Sequence, residues 1–275
     1  MSLGPFDWLF DHLGGIATNN LHLGGLLVLL LLVAALETGY RLGRLVVRNH
    51  APNDGEKSAV NFASAGMVGL LAFLLGVSLS MASTRFEQRR DSVLAEANAI
   101  GTAWLRAEFA GAAEAQALRR LLRDYTELRI AVVRGGDGGP AEAARLGQRG
   151  GELQAEIWRL ALAVAERAPT PISGLLLSSL NETFDLALTN RRNLESHVPP
   201  YLMRLLMTVS ILAVGMVGYG FGIAGSRQLG LSILLLVAWS LAIVLIIDID
   251  RPQYGKVRLS PAPLEWTLQG FGPKP

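Results

Sequence analysis

Cysteine is absent from the 275 residues of this chain, which excludes disulfides, thiolate metal sites and cysteine nucleophiles. Charged residues make up only 17% and apolar residues 51%, a balance too lean in charge for an ordinary soluble protein of this size. The four histidines are scattered and lack a ligand spacing such as HExxH. A net charge of +2 gives no argument for binding nucleic acid. We therefore expect neither an enzyme nor a nucleic-acid-binding protein.

The apolar residues are concentrated in four long runs. Each run holds about 20 residues that are poor in charge, the length that a helix needs to cross a bilayer. The chain begins without a basic n-region or a small-residue cleavage site, so no secretory signal peptide is expected. The sequence predicts an all-α membrane protein with four transmembrane helices in two hairpins, at residues 21–47, 60–83, 201–225 and 229–250.

The polar stretch between the two hairpins has the periodicity of amphipathic helices. Phe86, Val93, Ala97, Ile100 and Trp104 share one helix face, and neither glycine nor proline separates this helix from the second span. Three further helices with short connections predict an antiparallel bundle. The expected organisation is a first transmembrane hairpin at 1–84, an extramembrane helical bundle at 85–200, a second hairpin at 201–250 and a C-terminal tail at 251–275.

The distribution of basic residues leaves the orientation open. An even number of spans puts both termini and the central bundle on one side of the membrane. Basic residues near the membrane favour a cytoplasmic bundle, although the first span, with arginines only after it, argues the reverse. The side of the bundle has Arg85, Arg89, Arg90, Arg191, Arg192, Arg204, Arg251, Lys256 and Arg258, and the other side has Arg41, Arg44, Arg48, Lys57 and Arg227.

Two stretches at opposite ends of the chain carry a resemblance. "GLLAFLLGVSLSMASTRFEQRRDSVLAEANAIGTAW", with "EANAI" at 96–100, resembles the second span and following helix of the bacterial bestrophin-like (DUF4239-type) family. "DIDRPQYGKVRLSPAPL" resembles that family's Asp-x-Asp-x-Pro-aromatic-Gly ending. The resemblance implies a homo-oligomer in the bacterial inner membrane, with a pentamer as the expected form because true bestrophins are pentameric channels. It also implies a second span that lines the pore and contacts the permeating ions.

The second span has a stripe of small and weakly polar residues. These residues recur every three or four positions and therefore share one helix face: Gly69, Ala72, Gly76, Ser80 and Ser83. Such a face suits a narrow aqueous path, with hydroxyls replacing the water around an ion. Close helix packing through small residues is the commoner explanation. Gly218 and Gly222 of the third span form GxxxG, which predicts a helix contact.

Glu37 is the costliest residue in the chain if it lies within the first span. A charge near the bilayer centre costs roughly 2.5–3.5 kcal/mol on insertion scales and usually has a partner or reaches water. Arg41 stands one turn further on, at the spacing of an ion pair. A pair near the interface is the favoured interpretation, with proton relay or pore lining as the alternative.

The last span ends in two acids, Asp248 and Asp250. Negative charge at the C-terminus of a helix is unfavourable, so both acids are expected to have a partner. The favoured interpretation is salt bridges to Arg251 or to Arg191 and Arg192 of the bundle. The alternative is a cation site, with Ca²⁺ as the ion and Asp185 or Glu195 as further ligands, since calcium needs six to eight oxygens. The resemblance supports calcium only weakly, because the long acidic run of true bestrophins is missing here.

Two functions follow from these patterns. The leading hypothesis is an oligomeric bestrophin-like ion channel with the second span lining its pore. The alternative is a membrane sensor or scaffold whose helical central domain binds a ligand or partner. The lipid bilayer is a partner under both hypotheses.

Overall fold

The computed structural model describes residues 21–135, 139–251 and 256–272. The described chain is helical and contains eight α-helices. In chain order they are α1 Leu21–Asn49, α2 Asp54–Arg106, α3 Ala112–Arg134, α4 Gly139–Arg167, α5 Pro171–Glu195, α6 Pro200–Ala224, α7 Leu229–Asp250 and α8 Ala262–Gly270, with a 3₁₀ turn at Ala107–Ala110.

The four predicted spans are confirmed as helices. Among the described residues, four helices are long and apolar enough to cross a membrane, and they contain the four predicted runs. The second predicted span continues without a break into the polar helix after it, as α2, a single helix of 53 residues. Pro200 lies in the first turn of α6, and Gly225 (φ 74°) ends this helix, as expected for proline and glycine at those positions. The fold is therefore an all-α membrane protein.

The chain forms two compact units. Residues 1–84 and 197–257 form the membrane unit, and residues 85–196 and 258–275 form the central unit. The sequence assigned 251–275 to a tail, whereas residues from Arg258 onward belong to the central unit and include a helix, α8. Helix α8 has Leu264 in the core of this unit, and Thr267 donates a hydrogen bond to the carbonyl of Ala97 at 3.3 Å. Pro252 and the loop at 252–255 lie outside the described residues.

Helix α6 is central to the membrane unit. Its side chains Leu206 and Val209 pack with Leu71 of α2, while its Val214 packs with Leu32 of α1 in a second apolar cluster. The outward faces remain apolar as well, because lipid rather than water surrounds such helices. On α7 this outward face carries Leu231, Leu234 and Leu241.

The central unit has its own apolar core. Its buried side chains come from all four long helices of the unit and from α8, among them Ile100, Leu122, Ile157 and Leu180. The fourth helix of the bundle, α5, starts with a capping box in which Thr170 and Ser173 exchange hydrogen bonds, with Pro171 in the first turn.

Candidate ion path and polar sites

The small-residue stripe of α2 faces away from the rest of its own chain. Gly69, Ala72, Gly76 and Ser80 are exposed, and Ser83 is half-buried. At 100° per residue they lie opposite the buried face formed by Leu71, Leu74, Ser78 and Ala82. A Cβ placed on Gly69 or Gly76 would meet no described atom within 4 Å. Packing within one subunit therefore does not account for this face.

Two large aromatic side chains share the stripe's side of α2. Phe62 is 83% exposed and Phe73 is 65% exposed, and the helical period places both at nearly the same angle around the helix axis as Ser80. The small-residue pattern did not predict them, because both side chains are large. Because this span is poor in charge, their exposure indicates that they contact lipid or another subunit, or that they form a hydrophobic constriction.

The glycines of α6 behave differently from those of the stripe. A Cβ on Gly218 would overlap the carbonyl oxygen of Leu36, and one on Gly222 would overlap that of Tyr40. Gly39 and Gly43 of α1 are equally confined by the backbone of α6. The helix contact predicted from GxxxG is thus confirmed, and α1 is its partner.

Glu37 is held by two arginines of the membrane unit. Arg41 Nε donates to Glu37 Oε1 at 2.8 Å. Arg227, in the turn between α6 and α7, reaches the same carboxylate at 3.3 and 3.4 Å, and its guanidinium lies 4.5 Å from the ring centre of Tyr40. Sequence reasoning could not identify Arg227, because 190 residues separate it from Glu37.

The two acids at the end of α7 bind backbone N–H groups of their own unit. Asp250 Oδ1 accepts from Val198 N at 2.8 Å, and His197 Nδ1 lies 3.1 Å from the Asp250 carbonyl oxygen. Asp248 Oδ1 accepts from Lys256 N at 2.7 Å. Both side chains are buried, Asp248 at 7% and Asp250 at 5% exposure. These contacts connect the end of α7 with the residues before α6 and with the chain after the loop.

Two of the residues of the central unit that were proposed as partners of Asp248 and Asp250 have polar contacts within that unit. Arg191 pairs with Glu195 at 3.0 Å, and Asp185 accepts from Asn181 at 3.1 Å. Arg192 is exposed. A salt bridge from Asp248 or Asp250 to Arg191 or Arg192 therefore stays a prediction.

The calcium alternative for Asp248 and Asp250 stays a prediction. Within 21–135, 139–251 and 256–272, no group of three or more histidine or acidic side chains could hold a metal ion. One oxygen of Asp248 and one of Asp250 already accept backbone N–H groups, whereas calcium needs six to eight oxygen ligands.

The central unit contains a buried ion pair that the sequence analysis missed. Glu96 of α2 is fully buried, and both nitrogens Nε and Nη2 of Arg129 donate to it, the latter at 3.0 Å. Asn190 of α5 donates to the same carboxylate at 2.7 Å. Burial alone would lower the pKa of Arg129, but the charge and hydrogen bonds of Glu96 hold this pKa above its ordinary value.

A second polar group lies at the end of α5. Arg89 is fully buried, and its guanidinium donates to the carbonyls of Asn193 at 3.1 Å and Ser196 at 2.5 Å. These carbonyls belong to the last turn of α5 and its C-cap, where helix geometry leaves backbone acceptors unsatisfied. Arg85 donates to the Ser196 hydroxyl. Two of the basic residues counted in the orientation argument are thus engaged inside the central unit.

A cavity of about 350 Å³ opens at one end of the central unit. Its lining includes the ion pair of the half-buried Glu114 and the exposed Arg167, whose atoms lie 2.6 Å apart. The hydrogen bond from Arg167 holds the pKa of Glu114 below its usual range. Phe109 and Ile172 give the rest of the lining an apolar character.

Comparison with known proteins decides the family. The sequence profile of the bestrophin-like domain matches residues 29–264, which is most of the chain. The chain belongs to the bestrophin-like family. This membership confirms the resemblance drawn from the two ends of the sequence. No curated protein matches the chain significantly.

Solved structures of bestrophin-like fold resemble the chain over nearly its full length. A bacterial bestrophin homologue from Klebsiella pneumoniae has a TM-score of 0.58 at 17% identity, over 90% of this chain and 94% of that one. A point variant of the Klebsiella homologue gives 0.62 at 15% identity, over 89% and 96%. A variant described as a membrane protein gives 0.60 at 16% identity, over 91% and 98%. At these identities the likeness extends to the fold, so the bestrophin-like chain is a multi-pass membrane protein whose side-chain roles must be argued from its own residues.

Proposed function

We propose that the chain assembles into a homo-oligomeric ion channel in which the small-residue face of α2 lines the ion path. The observation that supports this most is the outward orientation of Gly69, Ala72, Gly76 and Ser80. This face has no partner within its own described chain, so it meets lipid, water or another subunit. The outward face of α7 in contrast carries large leucines, as expected for a surface that contacts lipid.

A closed ring of subunits would bring the small faces together around one axis. Small residues would leave room for an ion, the hydroxyl of Ser80 would replace part of its water, and Phe73 would narrow the path. We take the pentamer of true bestrophins as the expected ring. We further propose the bacterial inner membrane as its location, with the central unit on the cytoplasmic side.

Ion flux from liposomes that carry the purified protein tests this proposal. Ser80→Leu adds bulk and removes the hydroxyl, so we expect it to lower flux at least tenfold. Ala238→Leu is the matched control, since Ala238 is exposed on the lipid-facing side of α7, and it should conduct like the unmodified protein. If the folded Ser80→Leu protein conducted as well as the unmodified protein, the small-residue face of α2 would not line the ion path.

A sensor is the second candidate, and the cavity beside Glu114 and Arg167 in the central unit favours it. If the folded, oligomeric protein passed no common ion, this cavity would become the leading functional site.

A further inference from the structure

Four arginines gather where α1 and the turn between α6 and α7 leave the membrane-spanning region. Arg41, Arg44 and Arg48 recur at spacings of three and four on α1, so they fall within one arc of its surface. Arg227 joins them through Glu37 and Tyr40. All four arginines are exposed or half-buried. They occupy the end of a hydrophobic helix, which is the depth of the lipid headgroups.

The acidic groups nearby are already engaged. Glu37 binds Arg41 and Arg227. Asp54 pairs with Lys57 at 3.1 Å. Glu56 lies 3.3 Å from His50 and accepts the backbone N–H of Asn53 at 2.9 Å.

This region therefore contains five basic side chains, the four arginines and Lys57, but only three acidic ones. Two of the basic side chains are left without an acidic partner in the described part of the chain. Among the described residues, neither Arg44 nor Arg48 has a carboxylate partner. Two guanidinium groups on one face of α1 thus remain available to an anion.

Arg44 lies beside the end of α6. Its Nη1 lies 3.4 Å from the point that a Cβ on Gly225 would occupy, and Gly225 ends α6 in a left-handed conformation. The last carbonyls of a helix carry partial negative charge, which favours a cation there. The exposed guanidinium of Arg44 therefore lies where the apolar part of α1 ends, the depth at which lipid phosphates are found.

We propose that Arg44 and Arg48 bind the phosphate of an anionic phospholipid, with Arg41 and Arg227 at the edge of the site. Guanidinium groups bind phosphate oxygens through paired, charge-assisted hydrogen bonds. The exposed leucines of α1, such as Leu42 and Leu45, provide apolar surface for the acyl chains of the same lipid. This site does not depend on ion conduction.

Binding of short-chain phosphatidylglycerol to the full-length protein in detergent tests the proposal. We expect it to bind at least tenfold more tightly than phosphatidylcholine of the same chain length. Arg44→Gln with Arg48→Gln should weaken phosphatidylglycerol binding at least tenfold, because both guanidinium groups and their hydrogen bonds to the phosphate are lost. The double variant Arg44→Lys with Arg48→Lys keeps the charge but loses the paired hydrogen bonds, so its affinity should lie between those of the unmodified protein and the glutamine variant.

Arg120→Gln with Arg159→Gln is the matched control, because both side chains are exposed in the central unit and their loss removes the same charge. This control should bind like the unmodified protein. Equal affinity for the two lipids, or unchanged binding by the folded Arg44 and Arg48 variant, would overturn the proposal. Inorganic phosphate that binds as tightly as the lipid would show an anion site without lipid recognition and would also overturn it.

Discussion

At the scale of single residues, the most constrained group is the Glu96 carboxylate. It accepts from Arg129 and Asn190 inside the central unit, so one side chain of α2 connects this helix with α3 and α5. A buried ion pair gains little over an apolar pair but is costly to break, since the remaining charge has no water around it. The pair therefore selects one packing of these helices more than it adds stability.

Replacing Glu96 tests this role. We expect Glu96→Gln to destabilise the protein by about 3 kcal/mol because Arg129 stays charged and buried, which lowers the midpoint of thermal unfolding followed by circular dichroism. Glu96→Leu combined with Arg129→Met should cost less than the single change. A single variant as stable as the unmodified protein would contradict the assigned role of the pair.

Sequence reasoning missed Glu96 although a signal was present. Glu96 lies three residues after Val93 and four before Ile100, on the face that was predicted to be buried. The apolar positions of that face predict its burial, and the acid that stands among them is the signal for a buried partner. Arg129 follows Tyr125 on the buried face of α3 in the same way, and a charged residue on each buried face predicts a pair.

At the scale of elements, glycines have opposite roles in α2 and α6. Those of α6 allow the backbones of α1 and α6 to approach closely, whereas a Cβ added to Gly69 or Gly76 of α2 would meet no described atom within 4 Å. The same residue type thus serves a helix contact in one span and an open face in another. The sequence pattern alone could not distinguish the helix contact from the open face, because the small residues recur every three or four positions in both helices.

Alanine substitution separates these roles experimentally. Gly218→Ala would place a methyl against the carbonyl of Leu36, and overpacking of this kind costs roughly 1–3 kcal/mol. We expect a lower midpoint of thermal unfolding for this variant. Gly69→Ala should leave the midpoint unchanged or raise it, because alanine favours helix and meets no clash. A stable Gly218→Ala protein together with a destabilised Gly69→Ala protein would reverse the assignment.

The helices themselves were largely predictable from sequence. The last predicted span, 229–250, coincides with α7, because a long apolar run has no competing structure in a membrane. Helix α8 was missed since its nine residues are too few for a clear period. Its packing depends on contacts distant in sequence, such as the stack of Phe271 on Trp104 with ring centres 3.8 Å apart.

At the scale of the whole molecule, the bestrophin-like fold persists at 13–17% identity to solved relatives. Fold conservation at this level preserves the placement of helices and not the side chains that meet the ion. The acidic end of α7 illustrates this point, because Asp248 and Asp250 bind backbone groups and the described residues lack a calcium-binding group. Function must therefore be tested on the residues of this chain.

The absence of cysteine makes the decisive measurement direct. Ser80→Cys and Ala238→Cys each introduce one thiol into a chain that has none, and a charged, water-soluble methanethiosulfonate reagent modifies only a thiol that water reaches. The channel account predicts that the reagent modifies Ser80→Cys in liposomes and lowers its ion flux at least tenfold, while Ala238→Cys is unreactive and keeps its flux. An unreactive Ser80→Cys in folded, conducting protein would contradict the account, because the small-residue face of α2 would then lie outside the aqueous path.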